Sequence, residues 1–334
     1  MSQSPSTRGP RPQQDSIVLP LNAEVDMVFR HIPLKGQTVR IGSRKYENQA
    51  PVRKVRFEQD WYLGETVVTQ TQWRALMKED EVMGRQSFPD FLEHPLTDVS
   101  WEEALAFCTR LHEVLQRAPM RSHLHARLPT EAEWEAACRA GAHSDYWFGD
   151  GLECAERLAW TYENSAARTH PAWTTPDPSK PPPHPWGLLG MHGNVWEWCE
   201  DLFYRELGWD STPVAADPCH IDPEKFTGDE PLIWQEALKQ AQALNRPDAI
   251  SIIQSWSPEQ KEAYNEQQAK NAGGPRRVLR GGSWLYQAEG AIASVRVRRP
   301  AYDCNKNYGF RVCLSRPAVS RSNPQADHFP RRII

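Results

Sequence analysis

RLPTEAEWEAACRAG, residues 127–141, specifies a helix with a marked start and stop. Thr130 followed three places later by Glu133 is a capping box: the hydroxyl accepts one orphan backbone N–H and the carboxylate reaches back to another. Trp134, Ala137 and Cys138 then form an apolar stripe, and Gly141 ends the run. Arg127, Leu128 and Pro129 lead in, and Glu131 or Glu133 suits a buried arginine nearby. Further along, WGLLGMHGNVWEWCED (186–201) places Trp196 and Trp198 on one strand face with Glu197 between them. RVLRGGSW (277–284) and YGFRV (308–312) read as strands, and GGS needs small residues where two backbones approach closely.

The capping device recurs upstream. Ser100 with Glu103 opens a helix carrying Ala104, Phe107, Cys108 and Leu111 on one face, and Thr69 caps QTQWRALMK. Residues 26–68 alternate in a β-like manner, which predicts three or four strands. Residues 142–190 are rich in Pro, Trp, Gly and Asn without a sustained period, so that stretch is functional or pinned by other means, such as a bound ion. Residues 205–275 read as a helical insertion, with runs over 231–244 and from Ser257. The polar start, MSQSPSTRGPRPQQDS, opens a leader expected over 1–25, the domain is expected over 26–315, and 316–334 read as a loose tail. Fourteen tryptophans beside 28 prolines and 19 glycines predict a loop-rich α+β fold filled by large rings.

Composition narrows the function classes. A net charge of −4 does not favour nucleic acid or an anionic membrane as a partner. No run of 18 apolar residues predicts a membrane span, and the arginines of the start have no apolar segment behind them. The expected location is therefore cytoplasmic. Seven scattered cysteines without a CxxC spacing predict neither a disulfide framework nor a zinc site. His123 and His125 alternate beside a capped helix and read as an exposed pair rather than a metal site.

The three opening motifs, together with VRIG from Val39, ETVVTQTQW and DVSWEEALAFC, resemble the formylglycine-generating-enzyme (sulfatase-modifying-factor) family in order and spacing. The resemblance implies a C-type-lectin-like fold: a small twisted sheet, flanking helices and extended loops. Catalytic members are copper-dependent oxidases that convert a cysteine to an aldehyde, holding copper with two cysteines shortly after GGS. Those positions fall here at Tyr286 and Ala291. Neither supplies the soft thiolate that Cu(I) requires, so no copper and no catalytic residue is expected. Cys304 and Cys313 are the nearest other thiols. A relative class with an upstream iron-binding helical domain needs a three-histidine motif, and none precedes the domain here. Calcium is a further cofactor the resemblance implies, at the carbonyls of Gly193 and Val195 and the side chain of Glu197, although Gly190 stands where an acid or amide is usual. The first calcium site of some relatives would involve Asn164, but the surrounding sequence is too divergent for the resemblance to carry it over.

The family also resembles the variable proteins of diversity-generating retroelements, which mutate loop residues between GGSW and GFR while the fold holds. On that likeness, a non-catalytic binding face would comprise Trp284, Leu285, Tyr286, Gln287, Glu289, Arg298, Tyr302, Asp303, Asn305, Lys306, Asn307 and Tyr308, within a segment spanning 284–308. Tyr, Asn and Arg combine rigid aromatic area with adaptable hydrogen bonding. The expected partner is a protein or another macromolecule. The alternatives are an oxidase of the formylglycine-generating type or a catalytically dead accessory factor.

Overall fold

The computed structural model describes residues 16–45, 49, 52–78, 80–89, 91–177, 183–203, 215–216, 254–255, 257 and 276–316. The two helical runs expected within 205–275 lie outside the described residues, as do most of the leader and the tail.

Both ends of the domain meet in one sheet. Strands β1 (Ser16–Pro20), β2 (Asp26–Ile32), β5 (Trp61–Gly64), β12 (Cys313–Ser315) and β6 (His125–Arg127) pair in that order, all antiparallel. Strand β1 corrects the boundary drawn at residue 26: Ser16 to Pro20 register against Arg30 to Asp26, and Leu19 is buried in the core. A second sheet orders β10 (Arg296–Pro300), β9 (Arg276–Arg280), β7 (Trp196–Leu202) and β11 (Tyr308–Phe310), with β11 parallel to β7. A third, small sheet joins β3 (Thr38–Ile41), β4 (Arg53–Arg56) and β8 (Ala215–Ala216).

Among the described residues, five helices flank these sheets: α1 (Gln70–Met77), α2 (Glu81–Gly84), α3 (Trp101–Gln116), α4 (Glu131–Arg139) and α5 (Leu152–Leu158). Complete capping boxes start α1 at Thr69, α3 at Ser100 and α4 at Thr130. The α3 stripe of Ala104, Phe107, Cys108 and Leu111 is buried as its spacing predicts. Phe107 stacks on Trp73 at 5.4 Å and meets Phe310 edge-on at the same separation, which ties α1, α3 and β11 into one core. No helix of the described residues is long and apolar enough to cross a membrane.

Helix α4 departs from the amphipathic reading, because every one of its residues is buried. Its charges survive there by pairing. Glu133 receives both guanidinium arms of Arg127 at 2.6 and 2.7 Å. Glu131 pairs with Arg296, and Glu135 with Arg139 and Arg280. Burial alone would raise the Glu135 carboxyl, but Arg280 and Arg139 outweigh it and hold it below the ordinary carboxylate range.

The described part of 142–190 is pinned by its own side chains. Trp160 stacks on His170 at 3.6 Å, and the Asn194 amide both donates to and accepts from the His170 backbone. Asn164 is spent likewise: its amide nitrogen donates to the carbonyls of Glu156 and Ala159, and its oxygen accepts from Thr161 N–H.

Two imidazoles in this region are buried and uncharged. Burial pushes His184 down to about 3, with His192 adding to the shift, and pushes His192 down to about 4, with Arg139 adding. The unfolded chain would titrate both near 6.5, so between that value and about 4 the unfolded state binds more protons. The contribution of these groups is complete above pH 6.5 and is lost as pH falls toward 4. Melting temperature is therefore expected to drop across that window, and His192→Gln is expected to flatten the drop. A pH series of thermal melts on the two proteins checks it; parallel curves would refute the assignment.

Candidate functional site

The turn after β9 and the turn before β11 are stitched together from below. Trp284 N–H donates to the Asn194 carbonyl at 2.9 Å, and its indole N–H donates to the Lys306 carbonyl at 3.3 Å. The Asn307 amide donates to the Ser283 hydroxyl at 2.9 Å, and Asn307 O accepts from Trp196 N–H at 2.8 Å. Trp284, Asn307 and Tyr308 are consequently buried, at 3–4% exposure. This corrects the proposed binding face: these three hold the turns in register and do not present themselves to a partner. Tyr308 carries its hydroxyl to Arg299, which donates to it at 2.6 Å.

The remaining positions divide. Leu285, Tyr286, Gln287 and Glu289 are exposed on the first turn, and Asn305 and Lys306 on the second. Lys306 lies with its ammonium 5.2 Å from the Trp284 ring, so the two turns share one surface. Tyr286 is 40% exposed and stands edge-on to Trp196, ring centres 5.5 Å apart, which fixes the ring in place. Tyr302 is 62% exposed, while half-buried Asp303 faces Arg299 at 3.7 Å. Arg298 is exposed on β10 and its guanidinium lies over Phe203 at 5.3 Å, an anchor the first turn does not share.

Two neighbours were missed by sequence reasoning. Tyr162, 66% exposed, donates its backbone N–H to the Tyr286 carbonyl at 2.9 Å, and Phe88 meets Trp284 edge-on at 6.0 Å. Both sit in irregular loops, and the only signal for Tyr162 was the long aperiodic stretch around it.

The copper and calcium positions can be tested on their residues. A short 3-10 turn, Ala288–Ala291, follows Tyr286, and Ala291 is 1% exposed with its carbonyl 2.7 Å from His192 Nδ1. Gly282 packs under it: a Cβ there would stand 2.7 Å from Ala291 Cα, the close approach that GGS predicted. Cys304 is exposed, whereas Cys313 is buried in β12 against Leu63 and Arg127, so these thiols occupy different surroundings. Burial raises both thiols above their ordinary value. His123 and His125 are both exposed, as their position suggested.

The Glu197 side chain does not fit calcium. It is 1% exposed, and its oxygens accept from Arg311 Nε at 3.0 Å, Arg311 Nη2 at 2.9 Å and Trp134 Nε1 at 2.7 Å. A cation would have to displace a guanidinium that already balances the charge. Gly193 directs its N–H to Gly281 O, and Val195 is buried against Val67 and Ala172. Among the described residues no group of three or more His, Cys, Asp or Glu side chains is placed to hold a metal ion.

Residues 20–316 match the sulfatase-modifying factor enzyme 1-like domain. The chain belongs to that family. Its sulfatase-modifying-factor domain is 27% identical over 224 residues to the serine/threonine-protein kinase pkn1 of Chlamydia pneumoniae, covering 67% of this chain and 24% of the kinase. It is 31% identical over 170 residues to the formylglycine-generating enzyme of Thermomonospora curvata, covering 48% of this chain and 50% of the enzyme. The chain thus spans about a quarter of the kinase and half of the enzyme. Among solved structures, Treponema denticola variable protein 1 aligns over 90% of this chain and 99% of its own, with a TM-score of 0.61 at 21% identity. The sulfatase-modifying-factor domain therefore has the C-type-lectin-like fold, loop-rich and mixed in helix and sheet.

Proposed function

We propose that this chain is a non-catalytic, cytoplasmic ligand-binding protein that displays a surface on the C-type-lectin fold, in the manner of a retroelement-diversified variable protein. The observation that carries the reading is the pair of turns at 284–308: exposed Leu285, Tyr286, Gln287, Glu289, Asn305 and Lys306 ride on backbone pinned by buried Trp284 and Asn307. Such a surface tolerates replacement of what it shows without disturbing what holds it. Tyr286 and Ala291 at the copper positions favour binding over oxidation. An exposed tyrosine braced by Trp196 beside exposed polar side chains suits a protein or another macromolecule as partner.

Two experiments test it. Sequencing the DNA around the gene is expected to reveal a near-copy of codons 284–308 beside a reverse-transcriptase gene, differing where the template has adenine. The differences are expected at the exposed positions and not at Trp284 or Asn307; absence of any near-copy would defeat the diversification reading. A Cu(I) titration against a competing chelator is expected to find no tight stoichiometric copper. One tight copper per chain together with oxidation of a cysteine peptide would establish instead an oxidase of the formylglycine-generating type. Once a partner is in hand, Tyr286→Ala is expected to weaken binding by about 2 kcal/mol with an unchanged melting temperature.

A further inference from the structure

Beside the β3–β4 hairpin lies an open cavity of about 600 Å³, within the range of small-molecule sites. None of its lining residues belongs to the turns at 284–308. Arg40 on β3 stands directly opposite Lys54 on β4 in the antiparallel register, so both side chains leave the same face of the pair. Like charges so placed repel, and the neighbouring strand positions explain why they are nonetheless there. Val39 and Val55, also opposite each other, point the other way toward the core and set the register. Arg44 and His143 line the same cavity.

Among the described residues this charge is uncompensated. The side chains of Arg40, Arg44 and Lys54 make no ion pair among the described residues. The one carboxylate on the lining, Asp145, is held by Lys45 at 2.9 Å. Arg139 at the floor is spent on Glu135 and on the carbonyls of Ser144 and Gly42. Among the described residues, a chain whose net charge is −4 has therefore gathered three cations without an ion pair around one concavity.

We propose that this cavity is an anion site for a small phosphorylated molecule. A phosphoryl group carries up to two charges and three acceptor oxygens, which matches the planar forks of Arg40 and Arg44 and the point charge of Lys54 better than a single carboxylate does. Binding would remove the Arg40–Lys54 repulsion, so the ligand would stabilise the fold as well as occupy the site.

The test uses the full chain and inorganic pyrophosphate as the probe, at low ionic strength, by calorimetric titration and thermal melts. Expected is saturable binding of one pyrophosphate per chain with a rise in melting temperature. Arg40→Gln with Lys54→Gln is expected to weaken it by about tenfold or more, two charge-assisted contacts being lost. Without ligand that double variant is expected to melt no lower than the parent, because it relieves repulsion. Arg110→Gln on α3 with Arg117→Gln at its C-terminal cap removes the same charge elsewhere and is expected to leave binding within about twofold, the effect being local rather than a general field. The proposal is overturned if sodium chloride at matched ionic strength reproduces the stabilisation, if both double variants lose affinity equally, or if the titration shows no saturation.

Discussion

Arg311→Met is expected to cost about 3–5 kcal/mol of folding stability, the range for removing one partner of a buried ion pair. Arg311 is 0% exposed and its guanidinium satisfies five acceptors at once: both oxygens of Glu197 and the carbonyls of Gly64, Glu65 and Leu189. The loss leaves a buried carboxylate with Trp134 as its remaining donor and three carbonyls without this one. Replacing Glu197 as well does not restore the balance, since each carbonyl still loses the guanidinium, although Glu65 O keeps the Leu189 N–H at 2.8 Å. Arg311→Lys is expected to recover little, because an ammonium has three donors and no planar fork. Urea unfolding of the three variants measures this, and an Arg311→Met cost under about 1 kcal/mol would show that the network is not the keystone argued for.

Gly193→Ala is expected to destabilise by about 2–4 kcal/mol, combining a left-handed backbone penalty with overpacking. Gly193 has φ +73°, and a Cβ there would stand 2.4 Å from the Trp160 carbonyl oxygen and 2.9 Å from its nitrogen. Both atoms are backbone and cannot rotate away. The strain would also reach the turns at 284–308, since Asn194 N–H donates to Trp160 O and Asn194 O accepts from Trp284 N–H. Gly141→Ala is the internal control. At φ +87° it shares the conformational penalty but meets nothing within 4 Å, so a cost of only about 1 kcal/mol is expected. Equal effects at the two glycines would mean that the close approach to Trp160 carries no energy.

The family and the capped helices were legible in the chain because their causes are local. A capping box needs only a hydroxyl and a carboxylate or amide three residues apart, and the boxes at Ser100 and Thr130 formed where their spacing put them. The residues at the two positions where the family resemblance would place copper ligands were legible for the same reason, as Tyr286 and Ala291 cannot become thiolates whatever surrounds them. Two of the partners of the α4 acids were not. Glu133 and Glu135 have local arginines at 127 and 139, but Arg296 on Glu131 and Arg280 on Glu135 reach α4 only once the second sheet packs against the helix.

The proposed binding face shows the same division. Residue type marked out Tyr286, Gln287 and Lys306 as displayed, and they are exposed. Residue type also nominated Trp284, Asn307 and Tyr308, which are as aromatic and polar as their neighbours, yet the fold turns them inward to join two turns distant in the chain. Glu197 failed as a calcium ligand on similar grounds, since an acid between two tryptophans is chemically free until Arg311 arrives from the last strands. Composition and spacing state which groups a segment owns. Which of those groups is consumed internally depends on long-range contacts, because a hydrogen bond or ion pair within the core removes a side chain from function as completely as a mutation would.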